Sequence, residues 1–499
     1  MPDRKLQHIH RWSVTFAVLI GLGIFPNFVL GQDSLWAVHH GGRLNETGYA
    51  CRTLAGGDYV MAGATFSQGA GDYDIYLVKL DSTGGAFWER TYGGTLTDIG
   101  TDLQSTPDSG FIIAGYTTSW GNGKRDICLI KTAPDGSMEW IKTYGGPADD
   151  EVFSVRVTAD SGYILCGTTM SFGQGGDLYL IRTDRDGDTL WTRTYGGTAG
   201  ESGAAVRITS DGGFVAVGNT GSFGVGYSSI YLVRTDSEGD TLWTASYGGA
   251  RADLGYGVER TNDNGFIISG ATAPTGQNYY DAYLVKVDSL GQQEWEALYG
   301  GAYEERAFSV APTIDGGYVL TGTTESNPGR KIDIFVVKTD PVGEIEWDSA
   351  YGGVESDYGR MVGVDGQGNF LLAGSTYSFS AGGSDLYLMK VKGSEALAAD
   401  WSEVPLPDRL ALAQNYPNPF NAVTRIEFIL PERSAYALTI YNILGQTVRR
   451  WDGNAMMPGL HVIDWDGRED DGRTAPSGIY FYRLQTGQFS QTKKMILVK

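Results

Sequence analysis

The chain has 499 residues and 72 glycines, so it is too long for one ordinary core and rich in the residue that tight turns need. Its net charge of −21 argues against nucleic acid or an anionic membrane surface as a partner. Three cysteines, Cys51, Cys128 and Cys166, are too few for a secreted disulfide scaffold. They align with small or core residues of the repeat described below, so we expect them to be buried.

The first residues have the pattern of a secretory signal peptide. Residues 4–11 carry three Lys or Arg side chains, residues 14–24 are apolar, and small residues precede an expected cleavage site at Gln32. Pro26 interrupts the apolar run, which favours a cleaved signal over residues 1–31 against the alternative of a retained membrane anchor. We find no later segment that is long and apolar enough to span a bilayer, so no transmembrane segment is expected after cleavage.

A repeat then runs for more than 300 residues. In each unit a Trp is followed four residues later by Tyr-Gly-Gly, or once by His-Gly-Gly, with successive spacings of 52, 52, 51, 52, 52 and 52 residues. The motifs start at Trp36, Trp88, Trp140, Trp191, Trp243, Trp295 and Trp347. A period this strict predicts a repeat architecture, in which one large aromatic residue per unit fills the wedge between neighbours.

Each unit contains four short β-like segments. In the second unit these are residues 101–106, 111–115 and 126–131, followed by the segment that carries Trp140. Turn residues separate them and no helical periodicity intervenes, which is typical of one β-propeller blade.

The number of strands predicts how the propeller closes. One Trp-type strand precedes six complete sets of four, and the last unit, which ends at residue 390, has only three strands. We therefore predict an all-β fold in which residues 32–393 form a seven-bladed β-propeller of four-stranded blades. The N-terminal strand around Trp36 completes the last blade, so that no sheet edge stays open.

Charged residues recur at two positions in all seven units. Acids occur at Glu46, Asp98, Asp150, Glu201, Asp253, Glu305 and Asp357, and bases occur at Lys79, Lys131, Arg182, Arg234, Lys286, Lys338 and Lys390. One substrate cannot meet seven equivalent groups, so we interpret the acids as a scaffold ion pair or a turn cap in each blade. A catalytic carboxylate pair is the alternative. We expect the paired glycines to adopt backbone angles that are closed to other residues.

One turn resembles a known propeller pattern. Residues 183–187, followed by Trp191, resemble the tryptophan-docking motif of quinoprotein propellers. This chain lacks the adjacent cysteine pair and has seven units where that family usually has eight, so we expect no quinone and no other cofactor. Asp184, Asp186 and Asp188 hint at a calcium loop, but the run is shorter than a full calcium motif, so we predict no metal site.

The last residues differ from the repeat. After a linker at 394–413, residues 414–499 contain NYPNPFN, NILGQ, WDGR, SGIYFYRL and KKMILVK, in that order. About seven short alternating segments with turn signals predict a small antiparallel β-sandwich.

These motifs closely resemble the C-terminal sorting domain of the type IX secretion system, in its Ig-like form related to the flagellar hook cap. The resemblance implies export in two steps from a Gram-negative bacterium of the Bacteroidetes type, with the type IX machinery as the partner of residues 414–499. It also implies a final location at the outer-membrane surface or outside the cell, often after removal of the tail. The alternative is an ordinary Ig-like adhesion module.

The sequence offers few groups for catalysis. Of five histidines, only His39 and His40 lie in the propeller, and His40 occupies a Tyr position of the repeat. A Ser-His-Asp, Cys-His or His-rich metal site is hard to build from these two residues. We therefore favour a non-catalytic binding, interaction or structural module. The alternative is a carboxylate-based polysaccharide hydrolase or lyase with its site on the loop-rich face of the propeller.

Function is expected where the units differ. The Tyr-Gly-Gly loops and the loops between the second and third strands share one face, which we call the loop-rich face. Aromatic residues on that face are candidates for binding a glycan or a peptide: Trp120, Phe172, Phe223, Tyr280 and Phe379. The alternative is that these rings only pack against neighbouring loops.

Overall fold

The computed structural model describes residues 5–8, 34–54, 56–274, 279–301, 303–326, 331–380, 382–393, 411–412, 415, 418–421, 423–430, 434–456, 459–470, 473–487 and 489–498. Most of the predicted signal peptide and most of the linker therefore lie outside the described residues. The chain divides into two compact units, Met1–Ser394 and Glu395–Lys499.

Unit 1 is a ring of four-stranded antiparallel blades, which confirms the predicted fold class. Within blades 1 to 6 the strands follow the chain from the inner strand to the outer strand. Blade 1 is Glu46–Thr53, Tyr59–Thr65, Asp74–Leu80 and Ala86–Tyr92; blade 2 is Asp98–Ser105, Phe111–Thr117, Asp126–Thr132 and Met138–Tyr144; blade 3 is Asp150–Val157, Tyr163–Thr169, Asp177–Thr183 and Thr189–Tyr195. Blade 4 is Glu201–Ile208, Phe214–Thr220, Ser229–Thr235 and Thr241–Tyr247; blade 5 is Asp253–Arg260, Phe266–Thr272, Asp281–Val287 and Gln293–Gly300; blade 6 is Glu305–Pro312, Tyr318–Thr324, Asp333–Thr339 and Ile345–Tyr351.

The seventh blade closes the ring as predicted. Its first three strands are Asp357–Val364, Phe370–Thr376 and Asp385–Val391, and its outer strand is the N-terminal Ser34–His40. Trp36 pairs with Lys390 and His40 pairs with Leu386 in an antiparallel register. A short strand, Lys5–His8, also pairs in parallel with the outer strand of blade 5.

The hydrophobic core of the propeller is divided among its blade interfaces. Seven separate clusters of buried apolar side chains lie between adjacent blades, one at each interface. The three cysteines are fully buried within these clusters and are not joined by disulfides. Burial raises the pKa of the Cys51 thiol to about 12, as expected for a structural cysteine.

The Trp-Tyr-Gly-Gly motif connects each blade to the next. The Trp ring packs against the first aromatic residue of the next blade's second strand, with ring centroids 5.5–6.3 Å apart; the rings are edge-on or tilted at six interfaces and stacked between Trp347 and Phe370. The Tyr hydroxyl donates a hydrogen bond of 2.5–2.9 Å to a glycine carbonyl in the next blade's last turn. These donors are Tyr92, Tyr144, Tyr195, Tyr247 and Tyr299. At the closing interface His40 takes this place, with Nε2 3.0 Å from the carbonyl oxygen of Gly84.

The accepting glycine is required for two reasons. At Gly136, Gly187, Gly239, Gly291 and Gly343 the φ angle is 78–82°. A Cβ at any of these glycines would also overlap the Trp ring of the preceding blade. Only glycine therefore allows the turn and the Trp to approach so closely.

Our expectation for the paired glycines was wrong for most of them. Of these fourteen residues only Gly145 and Gly248 have φ angles in the left-handed region. The constraint is space, because a Cβ on the first glycine of a pair would overlap a carboxylate, as at Gly93 and Asp74. A Cβ on the second would overlap a serine, as at Gly94 and Ser119.

The repeated bases form ion pairs inside six of the seven blades. From blade 2 onward the base contacts an Asp in the turn between the first two strands, at N–O distances of 2.5–2.9 Å. In blade 1 the equivalent turn position is Gly56, and Lys79 lies over the Phe87 ring at 5.8 Å.

Unit 2 is a sandwich of two antiparallel sheets, as the sequence predicted. One sheet contains Ala411–Leu412, Thr424–Leu430 and Gly459–Trp465, and the other contains Ser434–Asn442, Thr447–Met456, Gly478–Thr486 and Phe489–Leu497. Trp465 is fully buried between Phe420 and Tyr480, with ring centroids at 5.5 and 5.3 Å. In the described part of the chain, no helix is both long and apolar enough to cross a membrane.

The Trp wedges make a testable contribution to stability. Trp191→Ala removes the ring that packs on Phe214 and Gly239, and we expect it to lower the free energy of unfolding by about 3 kcal/mol. Leu190→Ala is the matched control, because this neighbour is 56% exposed and its loss leaves the interface intact. Denaturant unfolding of the two variants would contradict the wedge role if both lost the same free energy.

Candidate binding channel and loop-rich face

The inner strand of every blade contains a β-bulge at its fourth residue. The strand register shifts there in all seven blades. A bulge inserts an extra residue and re-aims its side chain. The bulged residues form what we call the bulge ring: Tyr49, Thr101, Phe153, Ala204, Tyr256, Phe308 and Arg360.

All seven bulged residues line a cavity of about 560 Å³ on the propeller axis, which we call the axial channel. The seventh residues of the same strands also line it and form the terminal ring: Arg52, Gln104, Arg156, Arg207, Glu259, Ala311 and Gly363. Both rings differ strongly between blades, whereas the interface residues repeat. The axial channel is therefore where the sevenfold symmetry breaks down.

One side of the channel has a shared ion pair. Asp102 accepts hydrogen bonds from Arg52 Nη2 and from Arg156 Nη1, each at 2.6 Å. Burial alone would raise the pKa of Asp102, but Arg156 and Arg52 outweigh it and hold the pKa below its ordinary value. Asp102 is thus an ionised anchor for two arginines.

The neighbouring arginines repel one another. Burial, followed by the charge of Arg207, lowers the pKa of Arg156 to about 10. Arg207 has its own partner in Glu259, and this carboxylate outweighs burial and raises the pKa of Arg207. Positive charge is therefore only partly compensated around Arg156.

Arg360 is held in a different way. Its guanidinium lies 4.8 Å from the ring centroid of Phe308, 5.7 Å from that of Tyr358 and 6.0 Å from that of Tyr49. Its Nε is buried and has no hydrogen-bond partner among the described residues. Aromatic faces stabilise this cation without neutralising it.

Four of the predicted loop aromatics occupy one repeated position. The backbone N–H groups of Trp120, Phe172, Phe223 and Phe379 each donate to the Thr hydroxyl at the end of the second strand. The three Phe rings also lie 5.4–5.8 Å from a Tyr ring in the third strand of their own blade. Phe379 is only 7% exposed, whereas Trp120 is 36% exposed.

The fifth residue, Tyr280, lies elsewhere on this face. Its ring faces the guanidinium of Arg306 at 4.6 Å, and Arg306 also donates to the Tyr256 hydroxyl of the bulge ring at 2.8 Å. None of the five aromatics lines the axial channel. Burial accounts for Phe379, whereas Phe172 and Phe223 are 41% and 43% exposed despite their Tyr contacts, and ligand binding by the five remains a prediction.

The repeated acids act as turn caps. Each accepts a hydrogen bond of 2.6–2.8 Å from the backbone N–H of the second glycine of its Tyr-Gly-Gly or His-Gly-Gly motif. All seven are at most 3% exposed. Of the two scaffold roles that we considered, the structure shows the cap.

A second acid lies next to this cap in six blades. It is the first residue of the third strand, at Asp74, Asp126, Asp177, Asp281, Asp333 and Asp385, and blade 4 has Ser229 there. Burial, followed by the charge of Glu305, raises the pKa of Asp281 to about 7. Blade 5 thus holds a carboxyl group that keeps its proton near neutral pH.

The Asp184 turn has no calcium-like arrangement. Asp184 Oδ1 accepts hydrogen bonds from the backbone N–H groups of Asp186 and Asp188, at 2.9 and 2.8 Å. Among the described residues, no group of three or more His, Cys, Asp or Glu side chains is arranged to hold a metal ion.

The sequence led us to expect ligand binding on the loops, and neither ring of the axial channel was predicted. A signal was available, because the fourth and seventh inner-strand residues vary within a strict repeat. Alternation along a strand places these two positions on opposite faces. Only the bulge brings both into one cavity, and it cannot be recognised from residue periodicity.

The buried acid in blade 5 predicts a pH dependence of stability. Asp281 has a pKa of about 7 when folded, against 3.8 ordinarily, so its stabilising contribution is complete below pH 3.8 and is lost as the pH rises through 7. We expect Asp281→Ser, which copies Ser229 of blade 4, to flatten the decline in unfolding free energy between about pH 4 and 7. The reciprocal Ser229→Asp should steepen it, and identical slopes in all three proteins would contradict this assignment.

Comparison with known proteins identifies the domain type of the tail. Residues 418–488 match the FlgD Ig-like domain. Over 277 residues the chain is 24% identical to regulatory protein FlaEY of Caulobacter vibrioides, a match that spans 48% of this chain and 28% of that relative.

Solved structures resemble the chain at low similarity. They include PorZ, a surface component of the type IX secretion system of Porphyromonas gingivalis, with 13% identity and a TM-score of 0.41 over 89% of this chain and 59% of PorZ. They also include the Neurospora crassa Pan2 WD40 domain, with 11% identity and a TM-score of 0.44 over 72% of this chain and 95% of that domain. The strand topology and the family match together show a β-propeller and a C-terminal FlgD Ig-like domain.

Proposed function

We propose that this protein is a non-catalytic binding propeller that is exported to the surface of a Gram-negative bacterium or released from it. The observation that carries the binding role is the contrast between identical blade interfaces and an axial channel and loop-rich face that differ from blade to blade. Variation at concave and loop surfaces on a rigid scaffold is typical of ligand recognition.

The charges in the channel favour binding over acid–base catalysis. A carboxylate pair that cleaves a glycosidic bond needs one member with a raised pKa. The pKa of Asp102 is instead lowered, and both channel carboxylates are engaged by arginines. These acids hold arginines in place, which suits a binding site.

The tail supports the export route. Its match to the FlgD Ig-like domain agrees with the domain type of the sorting sequences that residues 414–499 resemble. Asn442 Oδ1 caps the NILGQ turn through the N–H groups of Leu444 and Gln446, each at 3.0 Å. Leu444 is 76% exposed at the tip of this turn. The tail therefore offers an accessible surface to the type IX machinery, its proposed partner.

Removal of the tail tests the export proposal. We expect a chain without residues 414–499 to stay inside the outer membrane, because the proposed second export step then has no signal. Cell-surface labelling and fractionation of a Bacteroidetes host would measure this. The matched control is residues 414–499 fused to a signal-bearing reporter, which should reach the surface. Normal surface display of the truncated chain would overturn the proposal.

The loop-rich face makes a separate prediction for a glycan or peptide ligand. In a panel of polysaccharides and peptides, the purified propeller should bind without releasing products. Trp120→Ala and Tyr280→Ala should weaken binding at least tenfold, since both rings are accessible. Phe379→Ala should lower stability with little effect on affinity, because that ring is buried. Release of shortened glycans by the wild type would favour the hydrolase or lyase.

A further inference from the structure

The axial channel has two basic levels. Arg360 belongs to the bulge ring, and Arg52, Arg156 and Arg207 belong to the terminal ring. The two rings are three residues apart along the inner strands, which is roughly 10 Å at about 3.3 Å per residue. Arg360 in blade 7 also lies across the ring from Arg156 and Arg207 in blades 3 and 4. The two positive regions are therefore separated along the channel and across it.

The channel wall has an excess of positive charge. Four arginines and two carboxylates line it, so the excess is two positive charges, although the whole chain has a net charge of −21. One excess charge is associated with the Arg52–Asp102–Arg156 group, where one carboxylate serves two guanidinium groups. The other is on Arg360. The excess is thus divided between the two levels.

The arginines keep donors available. Nη1 of Arg156 donates to both Asp102 and the carbonyl oxygen of Val155, which leaves its Nη2 without a protein acceptor among the described residues. The buried Nε of Arg360 also lacks a partner there. Buried donors without partners are costly unless a ligand or water satisfies them. Each basic level can therefore donate to an anionic group.

The surface between the levels combines small and apolar residues with a few polar ones. Met361 and the small residues Ala50, Ala205 and Gly257 line the channel there, beside Ser154, Ser309 and Asp102. Phe153 and Phe308 add apolar surface at the level of Arg360. These apolar groups leave room for a short hydrocarbon body between the two levels. A cavity of about 560 Å³ is large enough for a small organic molecule.

We propose that the axial channel binds an elongated organic dicarboxylate. One carboxylate lies at Arg360, the other lies at Arg156 and Arg207, and the apolar body spans the surface between them. Guanidinium groups recognise carboxylates through paired, charge-assisted hydrogen bonds, which makes two fixed arginine sites selective for two carboxylates at a set separation. The inference rests on the proposed function only in that the propeller is a binding module.

A chain-length series tests the two-site geometry. Isothermal titration of the purified full chain at low salt would compare malonate, succinate, adipate and suberate. We expect affinity to increase with length up to adipate or suberate, because the shorter acids cannot reach both levels. Hexanoate, which has one carboxylate, should bind at least tenfold more weakly than adipate. Equal affinity for adipate and hexanoate, or no binding of any diacid at millimolar concentration, would overturn the proposal.

Two substitutions test which arginine binds each carboxylate of the ligand. Each introduces a residue that another blade carries at the same position. Arg360→Phe copies Phe153 and Phe308 of the bulge ring, and Arg156→Gln copies Gln104 of the terminal ring, so both are compatible with the fold. Each should reduce adipate affinity at least tenfold, to about the level of hexanoate in the wild type. Arg90→Gln, on the exposed outer strand of blade 1, removes the same charge away from the channel and should have no effect.

The outcomes separate this inference from the proposed function. Adipate affinity that is unchanged in Arg360→Phe and Arg156→Gln, with unaltered thermal midpoints, would overturn the channel site alone. Surface display and glycan or peptide binding on the loop-rich face are measured independently and would stand. Conversely, a failure of export would overturn the proposed function, and so would the release of glycan products by the wild type. Neither result would alter the diacid titration.

Discussion

The contact between an outer strand and the last turn of the next blade holds the propeller together. A Trp ring packs on a turn glycine, and a Tyr hydroxyl donates to the carbonyl of that same glycine, as Trp191 and Tyr195 do at Gly239. Together the two contacts fix the distance and the orientation between neighbouring blades. At the closing interface the N-terminal strand supplies equivalents: His40 contacts the Gly84 carbonyl, Val38 packs on that glycine, and Trp36 packs on Tyr59. Closure therefore needs no structure beyond the repeat itself.

The residues that stabilise the propeller are not the residues that lie on its axis. The apolar clusters lie between blades, so each blade is stabilised by its two neighbours and no single cluster fills the axis. Side chains on the axis can then change without disturbing an interface. The bulge ring ranges from Ala204 to Tyr49 and Arg360, while the packing of a Trp on an aromatic ring of the next blade recurs at all seven interfaces. The axial channel is thus the part of the scaffold most free to acquire a ligand.

The fold followed from sequence because its signals are local and periodic. The spacing of Trp36 to Trp347 and the number of strands were enough to predict seven blades and their closure. Contacts between distant segments could not be predicted from local, periodic signals. The first glycine of the motif is required because a carboxylate on another strand leaves no room for a side chain, as Asp74 does at Gly93. The repeat alone had suggested that a special backbone conformation required it. The channel was missed because a bulge at positions such as Arg360 changes which face a residue occupies.

The acidic surface and the basic channel impose different conditions on a ligand. Beyond about 10 Å ordinary salt screens the surface charge, so the −21 of the chain opposes polyanions chiefly at close approach. Inside the channel charges interact more strongly than on the surface, because the effective dielectric constant between partly buried groups is lower than that of water. A long polyanion must keep many charges near the acidic exterior, whereas a short dianion places both charges among the arginines. The combination therefore selects for small size as well as negative charge, which charge complementarity alone would not achieve.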